Sequence, residues 1–229
     1  MTGRRGGYLR AVAALIRKDL VVELRSREAL LSMGFFALLV VVLFGFTMEA
    51  RRVDPVVAPG MLWVAFSFAG VLGLNRTFGV ERENGCLTGL MLCPVDRSAV
   101  FLAKMITNTV FMGLVELVTL PVFAALLRVD LLAHLGPVVW ITFLGTLGFA
   151  AVGTLLSAVA SQARARDVLL PIILYPIWIP LLVAAVRATA AVLEGRPLAE
   201  AAGWLRLMGI YDLVFFVLGL LLFEYVLEE

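Results

Sequence analysis

The chain has 229 residues, of which 62% are hydrophobic and only 16% charged, and its mean hydropathy is +1.02. Because about 20 apolar residues cross a bilayer core of about 30 Å, we expect a polytopic membrane protein with about six spans and no sizeable soluble domain. The formal net charge of +2 does not indicate the orientation of the chain in the membrane, because orientation depends on where the charged residues lie.

The sequence contains no motif for nucleotide binding and no pattern of metal ligands. It contains no G-x-x-x-x-G-K-[ST] loop for nucleotide phosphates. Cys86 and Cys93 are not spaced as a C-x-x-C pair, which argues for free thiols. We therefore expect no enzymatic activity, no metal and no nucleic-acid partner, and any driving energy should come from a partner or an ion gradient.

An amphipathic helix is predicted at about residues 8–28. Its apolar residues share one helical face and its basic residues a neighbouring arc: Leu9, Ala13, Ile16, Leu20 and Leu24 against Arg10, Arg17, Lys18 and Arg25. This pattern is typical of a helix lying on the inner leaflet against anionic lipid. The alternative is that these basic residues only set the orientation of the chain.

Six spans follow, in a single permease domain covering residues 1–229. They are predicted at about 29–48, 57–78, 101–127, 136–160, 168–188 and 207–227. The first uncharged stretch is too long for a signal peptide. In the fifth span Pro171, Pro176 and Pro180 should kink or locally unwind the helix. The sixth must accommodate Asp212 and Glu224 near its two ends, after a second interfacial helix at 194–208.

The basic residues predict the orientation. With a cytoplasmic N-terminus, thirteen Lys and Arg residues flank the spans on the inside and six on the outside. Basic residues favour the cytoplasmic flanks. Six spans then place both termini in the cytoplasm, whereas five spans would place the C-terminus outside.

The link at residues 79–98 is the most informative segment. It has charged ends and an apolar middle, and Glu81–Leu92 can form a short amphipathic helix that is broken or capped at Gly85. Such a helix suits docking into a groove of another protein. The alternative is a solvated loop. The predicted contact residues are Glu81, Arg82, Glu83, Asn84, Gly85, Leu87 and Leu90.

This link carries a family resemblance. The order R-x-F-x-x-E-x-E-x-G-x-L-x-G-L-x-L-x-P, from Arg76 to Pro94, and the flanking Asn75, Asp96, Arg97, Lys104 and Asn108 resemble the haem exporter protein B (CcmB) family. The resemblance is densest over residues 19–111. Beyond them it depends on hydropathy, on the segment from Arg166 to Pro180 and on length.

The resemblance implies the fold of a type-2 ABC exporter, with an elbow helix, six spans and a coupling helix that seats on an ATPase subunit, CcmA. It also implies partnership with CcmC, CcmD and the haem chaperone CcmE in the cytochrome c maturation system of the bacterial inner membrane. Haem would be a substrate of the complex, and ATP would bind the partner subunit.

Glu116 is the one acidic residue predicted deep within a span. An ionised side chain is expensive there and usually faces a bundle interior or a wet cavity, so either a functional role or a structural hydrogen bond of the protonated group is possible. Small residues recur every four positions along the fourth span, which indicates close helix packing: Thr146, Ala150, Thr154 and Ala158. His134, the single histidine, lies in an outer link, and the four tryptophans form no cluster, so we expect any bound haem to be held by a partner, and the haem-contacting residues stay unknown.

Four functions remain open. The first is an ABC permease for haem or haem-chaperone traffic, and the second is an ABC exporter of another hydrophobic solute. A membrane-embedded enzyme would need convergent polar groups, but the sequence has no H-E-x-x-H or G-x-S-x-G motif. The fourth is a purely structural assembly subunit.

Overall fold

The structure is a computed structural model that describes residues 2–47, 57–83, 95–161, 163 and 165–226. These residues form seven α-helices and one short 3₁₀ turn, and no strand. The helices are α1 (Thr2–Ser26), α2 (Glu28–Thr47), α3 (Ala58–Glu83), α4 (Arg97–Leu127), α5 (Leu135–Ser161), α6 (Arg166–Leu193) and α7 (Leu198–Val226). The 3₁₀ turn is Leu132–His134.

Six of these helices are long and apolar enough to cross a membrane, namely α2 to α7. This confirms the predicted all-α fold with six spans. Helices dominate because a bilayer offers no water to backbone N–H and C=O groups, which a helix satisfies within its own segment. The first helix, α1, lies outside the spans and ends at Arg27, whose φ of 56° separates it from α2.

The turn between α1 and α2 is closed by one carboxylate. Glu23 accepts a hydrogen bond from the backbone N–H of Leu30 at 2.8 Å, and its own carbonyl accepts from the N–H of Arg27 at 2.6 Å. Amide groups in the first turn of a helix have no partner within that helix. Glu23 satisfies one of them, so it joins the end of α1 to the start of α2.

The fourth span, α5, is the central helix. It contacts α3, α4, α6 and α7, and its small residues Thr146, Ala150, Thr154 and Ala158 are all buried. Gly145 provides the closest approach, because the ring of Trp63 from α3 occupies the place where a Cβ would stand. The core around it contains large aromatic side chains, among them Phe66, Phe149 and Trp178.

The C-terminal helix differs from the prediction. The segments predicted as an interfacial helix at 194–208 and a span at 207–227 form one helix, α7. Ala201, Met208 and Phe223 are all fully buried, so the helix contacts the bundle from its first turn to its last. Asp212 therefore lies near the middle of this span and not near its end.

The proline-rich fifth span is also more regular than expected. Helix α6 runs without interruption through Pro171, Pro176 and Pro180. Neighbouring helices can compensate for the backbone hydrogen bonds that proline removes. Of the two predicted effects of these prolines, local unwinding is therefore not found in this helix, and a kink stays a prediction.

Candidate coupling and intramembrane sites

The first candidate site is the link between α3 and α4. Glu81, Arg82 and Glu83 form the last turn of α3, so the predicted short helix does not begin as a separate element at Glu81. The other predicted contact residues, Asn84, Gly85, Leu87 and Leu90, lie outside the described residues. We call the end of the bundle where α1, the end of α3 and the start of α4 meet the elbow end.

The start of α4 is held by its own N-cap and by two other helices. Asp96 caps it by accepting a hydrogen bond from the backbone N–H of Ser98 at 3.0 Å. Arg97 donates to the carbonyl of Glu224 in α7 at 3.1 Å. The hydroxyl groups of Tyr8 and Ser98 are 3.2 Å apart, which ties α4 to α1. The helix that leaves the link is thus attached to both ends of the chain.

The end of α3 is held from two sides. Lys104 of α4 donates to the carbonyl of Thr77 at 3.2 Å, and its ammonium group lies 5.6 Å from the centre of the Phe78 ring. The guanidinium group of Arg166 lies over Gly79, at 3.4 Å from the position of a Cβ. Arg166 begins α6, so α3 is connected to both α4 and α6 just before the link.

Lys104 also forms a buried ion pair with the first helix, α1, which we call the elbow helix. Its Nζ is 3.0 Å from Oδ2 of Asp19, and the two side chains are only 6% and 12% exposed. Lys18, on the surface, approaches the other oxygen of the same carboxylate at 3.1 Å. A buried pair of this kind is expensive to break because the remaining charge is left without compensation.

A chain of polar side chains continues from this pair into the bundle. The Thr77 hydroxyl lies 3.0 Å from Oδ1 of Asn108, and Nδ2 of Asn108 donates to the hydroxyl of Thr154 at 2.9 Å. Together with Asp19 and Lys104, these contacts join α1, α3, α4 and α5. These four helices are thus connected at the elbow end by hydrogen bonds and one ion pair.

The second candidate site is Glu116, which is 6% exposed and lies on α4. Thr146 of α5 donates its hydroxyl proton to Oε1 of Glu116. The other neighbours are apolar and come from α2, α3 and α4, including Met33, Phe66 and Met112. The structure thus gives this carboxyl group one defined partner in an otherwise apolar setting.

Asp212 is a second intramembrane carboxyl, which the sequence reasoning placed at the end of a span. It is 6% exposed, and within the described part of the chain neither of its side-chain oxygens has a hydrogen-bond partner. Its Oδ1 occupies the place of a Cβ at Gly148 of α5. Glu116 and Asp212 therefore contact the same central helix, at Thr146 and Gly148.

Sequence reasoning missed the Asp19–Lys104 pair and the Thr77–Asn108–Thr154 chain. The available signal was Lys104 followed by Asn108, one helical turn apart at the border of an apolar run. His134 belongs to the 3₁₀ turn and is half-buried. Within the described ranges no group of three or more His, Cys, Asp or Glu residues is placed to hold a metal ion.

Six apolar helices with α5 at the centre of the bundle, preceded by a charged helix outside the spans, define a multi-pass membrane protein of the permease type. The chain belongs to the CcmB protein family, whose pattern matches residues 10–227.

Curated relatives agree with this assignment. Heme exporter protein B of Rhodobacter capsulatus is 30% identical over 199 residues, covering 83% of this chain and 89% of the relative. Heme exporter protein B of Bradyrhizobium diazoefficiens is 30% identical over 191 residues, covering 81% and 83%. The protein of the same name from Escherichia coli K12 is 32% identical over 101 residues, covering 44% and 46%.

Proposed function

We propose that this chain is the permease subunit of an ABC transporter complex for cytochrome c biogenesis in the bacterial inner membrane. It couples ATP hydrolysis by a CcmA-like partner to haem export or to release of the haem-loaded chaperone CcmE. CcmC-like and CcmD-like subunits complete the complex, haem is its substrate, and ATP binds the partner. Support comes from family membership and from relatives named heme exporter protein B.

One observation supports the coupling role: the residues just before and just after the 79–98 link both contact other helices. Thr77, Phe78 and Gly79 contact Lys104 and Arg166, and the start of α4 is tied to α1 and α7. We expect a displacement of the link to reach the bundle through these anchored ends. The carboxylates and Arg82 orient the ATPase contact, and Leu87 and Leu90 fill an apolar groove.

The coupling test uses the double variant Glu83→Lys/Leu87→Ala. Loss of an interface hot spot costs at least about 2 kcal/mol, or about 30-fold in affinity, so we expect weak ATPase co-purification and loss of mature cytochrome c. The matched control is Glu200→Lys/Leu207→Ala, two exposed positions on α7. Membrane insertion should be normal in both. Retention of both ATPase association and cytochrome c maturation by the link variant would refute the assignment.

Orientation has a separate test. We propose that both termini and the link are cytoplasmic and that residues 51–55 are periplasmic, because of the thirteen-to-six distribution of basic residues. After replacement of Cys86 and Cys93, a single cysteine at position 52 should react with a membrane-impermeant reagent from the periplasm, and one at position 3 only after permeabilisation. Labelling of position 52 from the cytoplasm alone would reverse the orientation.

The experiment that decides the substrate is co-purification. Haem-chaperone and CcmC-like partners are expected with this chain, whereas an exporter of another hydrophobic solute would retain an ATPase without them. Haem-chaperone recovery would thus separate the two transport functions, and absence of any ATPase would exclude both.

A further inference from the structure

A cavity of about 320 Å³ lies at the elbow end between α1, α2, α3 and α4. This volume falls at the lower end of the range of small-molecule pockets. The Asp19–Lys104 pair lines it.

The charges of the lining are balanced. Three cations and three carboxylates surround the cavity: Lys18, Arg76 and Lys104, and Asp19, Glu23 and Glu28. Their formal sum is zero, so the lining offers no net attraction for a simple anion. Separated charges of both signs instead complement a zwitterion.

Three of the charged side chains lie at the rim of the cavity and are exposed. The side chains of Lys18, Arg76 and Glu28 are 43%, 38% and 63% exposed. Arg76 already donates to Glu28, but a guanidinium group has five donors and a carboxylate about four acceptor positions. The rim can therefore donate to a phosphate and accept from an ammonium group at the same time.

The uncharged part of the wall is mixed: Ser26, Thr77, Thr107 and Asn108 are polar, and an apolar strip is formed by Val22, Ala29 and Phe111. Val22 is 47% exposed at the edge of the cavity, and Ala29 and Phe111 line its inner side. The uncharged stretches of α2 and α4 begin here, at Ala29 and after Lys104. The cavity therefore lies at the depth where lipid head groups give way to acyl chains.

We infer that this cavity binds one phospholipid with an ammonium–phosphate head, such as phosphatidylethanolamine, taken from the surrounding leaflet. The phosphate contacts Lys18 and Arg76, the ammonium group contacts Glu28, and the first part of an acyl chain lies against Val22 and Phe111. The lipid fills the space between the elbow helix and the spans. This inference is independent of the proposed function.

The test uses the full chain in nanodiscs that contain a trace of photoactivatable phosphatidylethanolamine, with cross-linked peptides identified by mass spectrometry. Val22→Trp fills the mouth of the cavity. Val21→Trp is the matched control, because Val21 is 41% exposed on the same helix and does not line the cavity. We expect labelling of α1 and α4 near the cavity, reduced by Val22→Trp and unchanged by Val21→Trp. Equal labelling of both variants would overturn the inference.

A second pair of variants tests the head group. Arg76→Gln/Glu28→Gln removes one charge of each sign, and loss of charge-assisted hydrogen bonds should lower labelling about tenfold. The control Arg196→Gln/Glu200→Gln removes an exposed pair from another part of the surface. A phosphatidylglycerol probe should label the cavity much less than phosphatidylethanolamine. Equal labelling by the two probes, or displacement of the lipid by equimolar haem, would refute the assignment.

Discussion

Removal of the ammonium group at position 104 is the sharpest test of how the elbow helix is attached. Asp19 has two lysine partners at nearly equal distance, the buried Lys104 at 3.0 Å and the exposed Lys18 at 3.1 Å. The two interactions differ in burial and not in distance. Lys104→Met and Lys18→Met therefore compare a buried with an exposed ion pair at a single carboxylate, and Lys104→Met also removes the hydrogen bond to the Thr77 carbonyl and the contact with the Phe78 ring.

The expected magnitudes are well separated. Breaking a buried pair costs about 3–5 kcal/mol, and we expect about 3 kcal/mol for Lys104→Met because Lys18 still compensates part of the Asp19 charge. An exposed pair contributes about 0–1 kcal/mol, which is the loss expected for Lys18→Met. For a chain of this size the first loss corresponds to a decrease in Tm of about 6–12 °C.

The assay combines two measurements on protein purified in detergent. Thermal unfolding followed by tryptophan fluorescence gives the change in Tm, and hydrogen exchange of peptides from α1 reports release of the elbow helix. The double variant Asp19→Asn/Lys104→Met removes both charges of the pair and should recover part of the stability, because the hydrogen bond from Lys104 to Thr77 stays lost. Equal Tm values for Lys104→Met and Lys18→Met, with unchanged exchange in α1, would refute the view that the buried pair holds this helix.

Two further predictions concern the central helix α5. The Glu116→Gln variant should fold normally, because the amide oxygen can still accept the hydrogen bond from Thr146. If the carboxyl group is functional, the variant should lower cytochrome c maturation. Full cytochrome c maturation by this variant would reject a functional role. Gly145→Ala should destabilise the bundle by about 1–3 kcal/mol through overpacking, because Trp63 is held in place by its hydrogen bond to another helix. The control Gly136→Ala, with open space at its Cβ position, should leave Tm unchanged or slightly raised, and equal effects at both positions would contradict the packing argument.

Much of the fold was predictable from local features. Uncharged stretches such as 29–48 define spans because a helix must be apolar for about 20 residues to cross the bilayer, and the basic arc of residues 10–25 identifies a helix outside them. The link motif around Glu81–Gly85 led to the family. Each of these signals depends only on residues that are close together in the chain.

Tertiary structure alone decided which residues meet. Asp19 and Lys104 are 85 positions apart, and Asn108 and Thr154 are 46 apart. In a membrane helix nearly every face is apolar, so hydropathy does not reveal which face packs on a neighbour. The central position of Asp212 likewise followed only from the continuity of α7, which depends on the burial of Ala201 and Met208 against the bundle. The sequence by itself determines the spans, because the apolar length that a span needs is a property of neighbouring residues. Only the tertiary structure determines the polar sites, because the partners of each polar side chain come from other helices.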